Sequence, residues 1–236
     1  MGSSQLIVAL DYGRIGPALA LAKRLRGSAG LVKVGGQLFT SEGPRAVQRL
    51  AGLGFGVFLD LKFHDIPNTV TGAVAAAADL PGVRMMTLHT SGGLTMMRAA
   101  KEVIAGRNTR PALLGVTILT SLDAAAMRRV GLSGSPGVRV LALARLAKEA
   151  GLDGVVASAH EVKAIRRTCG PRFLIVVPGI RPATTAANDQ ARVATPAEAI
   201  RAGANYLVVG RPITGAGDPA AAAQSITNEI GAARRR

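Results

Sequence analysis

Asp60 and Lys62 stand two residues apart, and Asp65 follows three residues later. A carboxylate beside an ammonium is a proton-handling pair, because neighbouring acids keep an ammonium protonated and ready to donate. Two more charges interrupt apolar runs upstream. Asp11 ends Leu6–Asp11, and Lys33 sits inside Leu-Val-Lys-Val-Gly. One Asp-x-Lys at a strand end reads most simply as a surface salt bridge. Four such charges on three consecutive apolar runs point instead to a charged array at the mouth of a site. If the run carrying Asp60 and Lys62 is a strand, positions i and i+2 share a face, so both side chains enter the same space.

A second group of residues suits an anion. Pro178-Gly179-Ile180-Arg181-Pro182 and Gly210-Arg211-Pro212-Ile213-Thr214 each follow an apolar run. Glycine lets backbone N–H groups approach a phosphate, and a helix beginning there favours negative charge. Arg211 adds a forked donor. Residues 181–191 are polar and aperiodic. They read as a lid from which Gln190 reaches a phosphate oxygen, or as a plain long loop.

The elements that must position these groups alternate along the chain. Strand-like runs are Leu6–Asp11, Leu31–Gly35, Gly56–Lys62, Arg84–His89, Ala112–Leu119, Gly154–Ser158, Phe173–Pro178 and Tyr206–Gly210. Helix-like segments follow each: Pro17–Arg26, Pro44–Ala51, Thr69–Asp79, Thr95–Ile104, Val138–Ala150, Glu161–Thr168, Pro196–Ala202 and Pro219–Ile230. Continuously apolar strands are buried on both faces, as in a parallel sheet under helices. Eight units in 236 residues predict a single (β/α)8 barrel over 1–236, with a basic tail at about 231–236. An open doubly wound sheet is the alternative, but no GxGxxG follows the first strand. The Gly131–Gly137 stretch reads as a long loop after the fifth strand. Chemistry in such a barrel sits at the C-terminal strand ends, and the loops after the last two strands cradle phosphate. The candidate residues fall in those places.

Composition narrows the alternatives. Lys and Arg number 29 against 14 Asp and Glu, a formal net charge of +15. That balance suggests a polyanionic partner, nucleic acid first. The positives are scattered in small clusters such as Lys23-Arg24, Arg128-Arg129, Arg166-Arg167 and Arg234–Arg236. With two tyrosines, five phenylalanines and no tryptophan, stacking platforms for bases are few. Nucleic acid is therefore not the expected partner. One cysteine, Cys169, excludes an internal disulfide and any CxxC zinc motif. His64, His89 and His160 form no HExxH or HxH, so no metal site is expected. No apolar run approaches a membrane span, and the N-terminus lacks a basic n-region. A cytoplasmic location is the default. These residues imply an enzyme acting on a small phosphorylated substrate, which they do not name.

The run Asp60-Leu-Lys-Phe-His-Asp-Ile-Pro-Asn-Thr69 resembles the signature of the orotidine 5′-phosphate decarboxylase family. The rest agrees along roughly residues 6–220: Ala9-Leu-Asp11, Val32-Lys-Val-Gly35, Val116-Thr-Ile-Leu-Thr120, Pro178-Gly-Ile-Arg181, Asp189-Gln190 and Leu207-Val-Val-Gly-Arg-Pro-Ile-Thr214. The resemblance implies decarboxylation of orotidine 5′-monophosphate to uridine 5′-monophosphate, the last step of UMP synthesis, with no cofactor and no metal. It implies that Lys62 protonates the ring carbon and that Asp60 faces the departing carboxylate. Lys33 and Asp65 would complete the array, and Asp11 with Lys33 would hold the ribose. Thr120 and Pro178 would lie near the pyrimidine. Arg181, Gln190, Gly210 and Arg211 would hold the phosphate. Asp65, Ile66 and Thr69 would come from the partner subunit, making a homodimer the catalytic unit. His64 and His89 have no required role in that array, and Cys169 is expected to be inert. Two other readings share parts of the pattern. A sister sugar-phosphate enzyme has Asp-x-Lys-x-x-Asp, requires magnesium and lacks Ile-Pro-Asn-Thr. An RNA-binding barrel would account for the charge alone.

Overall fold

Eight parallel strands close into a barrel in sequence order, each paired with its chain neighbours and the last returning to the first. The computed structural model describes residues 5–107, 110–182 and 194–235. The strands are β1 (Leu6–Ala9), β2 (Leu31–Gly35), β3 (Gly56–Phe63), β4 (Val83–His89), β5 (Ala112–Val116), β6 (Gly154–Val156), β7 (Leu174–Val177) and β8 (Tyr206–Val209). The helices are α1 (Ile15–Arg24), α2 (Gly36–Glu42), α3 (Pro44–Ala51), α4 (Pro67–Ala78), α5 (Gly93–Ala105), α6 (Ala124–Arg129), α7 (Pro136–Glu149), α8 (Val162–Cys169), α9 (Pro196–Ala202), α10 (Arg211–Thr214) and α11 (Pro219–Arg234). The expected (β/α)8 architecture is present. Among the described residues, no helix is long and apolar enough to cross a membrane.

Local chemistry explains several element ends. Asp123, Ser135 and Asp218 cap the N-termini of α6, α7 and α11 with their side-chain oxygens. At α9, Thr195 and Glu198 exchange side-chain and backbone bonds in a capping box. Proline at the first turn of α3, α4, α7, α9, α10 and α11 occupies a position whose N–H has no helical acceptor.

The structure shifts some expected boundaries. The run 112–119 is strand only to Val116, and the long connection after it contains α6. The Gly131–Gly137 segment ends inside the first turn of α7 rather than forming one long loop. Helices α2, α6 and α10, of 7, 6 and 4 residues, were not among the expected elements. Residues 231–234 are the last turn of α11, so most of the expected tail is helix.

Two cores result. The larger lies between strands and helices and includes Leu10, Leu38, Leu50, Leu59, Met86, Leu88, Met96 and Met97. The smaller fills the barrel interior with Ile7, Ala9, Leu31, Phe58, Met85, Leu114, Val176 and Val208. Strand alternation places one further residue of each chain segment above this plug. Those residues are Asp11, Lys33, Asp60, Thr87, Val116, Pro178 and Gly210. The apolar plug thus forms a floor, and the layer above it carries the charged candidates.

The opposite end of the barrel is tied by polar networks. The Arg166 guanidinium on α8 donates to the carbonyls of Gly170, Pro171, Phe173 and Gly203 and to the Asn205 side-chain oxygen. Burial lowers its pKa. Asp153, ahead of β6, accepts from Lys101 at 2.6 Å, from Arg110 at 3.0 Å and from the Leu113 N–H at 2.8 Å. These groups hold the rim opposite the candidate site.

Candidate active site

Four charged side chains alternate in sign across the mouth of the barrel. Asp11 follows β1, Lys33 lies on β2, and Asp60 and Lys62 lie on β3. Lys33 Nζ is 2.9 Å from Asp11 Oδ1 and 3.7 Å from Asp60 Oδ2. Lys62 Nζ is 2.8 Å from Asp60 Oδ2. The central pair is the driest, with 10% of the Lys33 side chain and 12% of the Asp60 side chain exposed. Burying a charge is costly unless it is paired, and here each member has an opposite neighbour.

Simple alternation along β3 accounts for Asp60 but not for Lys62. Leu59 lies opposite Met86, yet Phe63 lies opposite Leu88. Four steps on β3 therefore face two steps on β4, a bulge containing Asp60, Leu61 and Lys62. Lys62 has φ 53°, the left-handed region, and is the one non-glycine residue with positive φ among the described residues. The expected meeting of Asp60 and Lys62 is present, but a distorted backbone produces it.

Asp65 does not join the array within the chain. It is exposed, and its carboxylate accepts the N–H of the next residue, Ile66, at 2.6 Å. Ile66 is 65% exposed although apolar, and Thr69 is exposed on the first turn of α4. The physical reason is positional: β3 has ended at Phe63, and the segment leads outward into α4.

A cleft runs over the array. One lobe, about 390 Å³, is lined by Asp11, Lys33, Pro178, Gly179, Arg181, Gly210 and Arg211, among others. A smaller lobe, about 170 Å³, is lined by Phe58, Asp60, Lys62, Val116, Ile118, Thr120 and Ala157. Lys33, Pro178 and Val208 line both. The first is a polar lobe with two arginines. The second is mostly apolar, with the Asp60–Lys62 pair at its edge. Arg181 is only 6% exposed, and Gly179 adopts φ 73° at the turn preceding it. The Arg181 N–H donates to the Ala194 carbonyl at 3.0 Å, beside an isolated bridge between Ile180 and Ala194. That contact joins the two ends of the 183–193 segment. Gln190 lies outside the described residues.

The histidines flank the site. His64 and His89 have ring centroids 5.3 Å apart, tilted by 42°. Burial lowers the His89 pKa, and the neighbouring His64 and Lys62 add to this, while Asp60 opposes it. Cys169 is buried in α8, and burial raises its thiol pKa, which leaves it a poor nucleophile.

Two residues beside the charged array were not expected from sequence. A Cβ on Gly35 would lie 2.7 Å from Lys33 Nζ and 3.3 Å from Asp11 Oδ1. Thr87 bonds both Asp60 and the Lys62 backbone. The signal for both was position: Thr87 stands two residues beyond the plug residue Met85, and Gly35 two residues beyond Lys33 of the charged layer.

Comparison with known proteins places the chain in a family. The family model described as Orotidine 5′-phosphate decarboxylase / HUMPS family matches residues 4–226. The chain is 54% identical over 230 residues to the orotidine 5′-phosphate decarboxylase of Nitrosococcus oceani, covering 98% of this chain and 99% of that protein. It is 54% identical to the protein of the same name from Chromohalobacter salexigens, covering 95% of each. The crystal structure of orotidine 5′-phosphate decarboxylase from Lactobacillus acidophilus superposes with TM-score 0.84 at 39% identity, covering 95% of this chain and 98% of that one. The match extends over nearly the whole barrel and includes both lobes of the cleft, and the chain accordingly belongs to the orotidine 5′-phosphate decarboxylase / HUMPS family.

Proposed function

We propose that the protein is a carboxy-lyase that converts orotidine 5′-monophosphate to uridine 5′-monophosphate and carbon dioxide, completing UMP synthesis in the cytoplasm. The observation that carries this reading is the alternating Asp11–Lys33–Asp60–Lys62 array set between an arginine-bearing lobe and an apolar lobe. A nucleotide has the matching polarity, with a phosphate at one end and a flat ring at the other.

In this reading Arg181, Arg211 and Gly210 receive the phosphate, joined by Gln190. Asp11 and Lys33 take the ribose hydroxyls. The ring enters the smaller lobe beside Thr120 and Pro178. Asp60 faces the substrate carboxylate. The bond from the ring carbon to the carboxylate breaks, carbon dioxide leaves, and the electron pair stays on the ring carbon. Lys62 stabilises that charge with its ammonium and transfers a proton to it. The partner subunit's Asp65, Ile66 and Thr69 complete the site in a homodimer. The exposure of these three residues on the chain supports that role.

The energetic demand is large. Rate gains at the upper end of the enzymatic range require on the order of 20 kcal/mol. Contacts to the phosphate, remote from the reacting carbon, supply binding energy for positioning.

Loss of substrate absorbance in the ultraviolet, with EDTA present, tests the proposal. Turnover under those conditions is the expected result. A folded protein, verified by circular dichroism, that leaves orotidine monophosphate unchanged would overturn it.

A further inference from the structure

We infer that Thr87 is a positioning residue that sets the Asp60–Lys62 pair in its working geometry. The inference rests on the decarboxylase reading above and adds a residue to it. Thr87 lies on β4 with 0% of its surface exposed. Its hydroxyl sits between two groups of the adjacent bulge. The Lys62 N–H donates to Thr87 Oγ1 at 2.9 Å, and Thr87 Oγ1 donates to Asp60 Oδ1 at 3.0 Å.

The direction of both bonds is forced. A backbone N–H only donates and an ionised carboxylate only accepts. The single hydroxyl proton must therefore point at Asp60, while an oxygen lone pair takes the Lys62 N–H. One buried oxygen thus fixes two things at once. It occupies Asp60 Oδ1, leaving Oδ2 for Lys62 at 2.8 Å and Lys33 at 3.7 Å. It also satisfies a backbone N–H that the bulge has removed from the β3–β4 ladder.

That second role concerns strain. A non-glycine residue in the left-handed region is strained and persists only where its surroundings hold it. Lys62 is in that region, at φ 53°. The Thr87 hydroxyl is the side chain that engages its backbone. Without it, the Lys62 N–H would be left without that acceptor, and the backbone would have less reason to remain left-handed. The ammonium would then approach the ring carbon from a different origin. Misplacement of that kind lowers the chemical step more than it lowers binding.

The test uses the whole chain in four forms, wild type and the valine, serine and alanine variants at position 87. Wild-type turnover of orotidine monophosphate with EDTA comes first, and its absence would sink the decarboxylase reading without bearing on Thr87. Thr87→Val keeps the shape and removes the hydroxyl. It is expected to lower kcat by about tenfold or more with KM changed by no more than about threefold. Thr87→Ser keeps the hydroxyl and should hold kcat within about threefold of wild type. The Ser/Ala pair at this position differs only in the hydroxyl, so it decides the matter should the valine variant fold poorly. A crystal structure of Thr87→Val should show Lys62 out of the left-handed region or the Asp60 carboxylate rotated, a readout that needs no turnover. Valine within about twofold of wild-type kcat, or alanine equal to serine, overturns the proposal. So does a valine structure with Lys62 and Asp60 unmoved.

Discussion

Lys62 Nζ meets Asp60 Oδ2 at 2.8 Å from a left-handed backbone turn inside β3. Ordinary pleating would carry both side chains into the barrel mouth two steps apart. The bulge between Leu59 and Phe63 instead turns the chain, and the pair forms around the turn. Lys62 is 36% exposed in its side chain and Asp60 only 12%, so the acid is the fixed partner and the ammonium faces the cleft.

That geometry makes Lys62 replaceable for folding, and the proposed mechanism makes it irreplaceable for chemistry. Lys62→Ala leaves Asp60 paired with Lys33 at 3.7 Å and bonded to Thr87 at 3.0 Å, so no buried charge is orphaned. The unfolding free energy should change by about 1 kcal/mol or less. Turnover should fall by at least about a thousandfold, because the proposed proton donor is gone. Side-by-side urea melts and ultraviolet assays check both halves. Activity near wild type would remove Lys62 from the proton-transfer step.

Gly35→Ala should have a similar signature by a different cause. The added methyl would lie 2.7 Å from Lys33 Nζ, inside van der Waals contact. The ammonium is the far end of a flexible chain and moves aside at little cost to stability. Moving it disturbs both the Asp11 bond at 2.9 Å and the Asp60 contact at 3.7 Å. The expected outcome is a loss of about tenfold or more in kcat/KM with an unchanged circular dichroism spectrum. Wild-type kinetics in a folded Gly35→Ala protein would show that Lys33 need not sit where it does.

These contrasts show how much of the site was legible in the residues. Asp11, Lys33 and Asp60 were readable because a charge inside an apolar strand is an anomaly that burial must explain. The barrel was readable because eight apolar runs alternate with helical ones. Thr87 was not, since threonine between Met86 and Leu88 is ordinary strand composition. Gly35 at a strand end also has a routine explanation. The left-handed turn at Lys62 follows from the register of β3 against β4, a nonlocal property. Asp65 carries the family motif, yet its side chain turns to the Ile66 N–H and away from the array. Helices α2, α6 and α10, of 7, 6 and 4 residues, escaped because segments that short carry little periodic signal, although the seven-residue α9 was read.

At the other end of the barrel, Arg166 is expected to matter for stability alone. Its guanidinium ties α8 to the segments before β7 and β8 through five oxygens. Arg166→Met removes the donors and leaves several partly buried carbonyls without partners. A cost of roughly 2–4 kcal/mol is expected, with the melting temperature lower by about 5–15 °C. The kcat of the folded protein should be unchanged. A variant that melts like wild type would mean that water replaces the guanidinium without loss.

His89 gives the site's stability a pH dependence of known sign. Its folded pKa lies below the ordinary 6.5, first through burial and then through His64 and Lys62. As pH falls through 6.5, the unfolded chain takes up the proton before the folded one. Stability is therefore full above that value, declines as pH drops toward the folded pKa, and is level below it. His89→Gln should flatten this part of the curve. Urea midpoints at about pH 7.5 and pH 5.5 read the difference between the two proteins. Equal slopes in wild type and variant would assign the pH dependence to other groups.

Mixing two inactive variants tests whether the site is shared between subunits. Lys62→Ala lacks the proton donor, and Asp65→Asn lacks the acid assigned to the neighbouring site. In a mixed dimer, the Asp65→Asn subunit keeps its own Lys62 and receives an intact Asp65 from the Lys62→Ala subunit. That site is complete, and the other site lacks both groups. Random reassociation makes half of the dimers mixed, with one working site in each, so about a quarter of wild-type activity should return. If Asp65 instead serves the site of its own chain, every site in every dimer lacks one group. The mixture would then be as inactive as either parent. Restored activity after unfolding and joint refolding, absent when the two proteins are refolded separately, is the expected result.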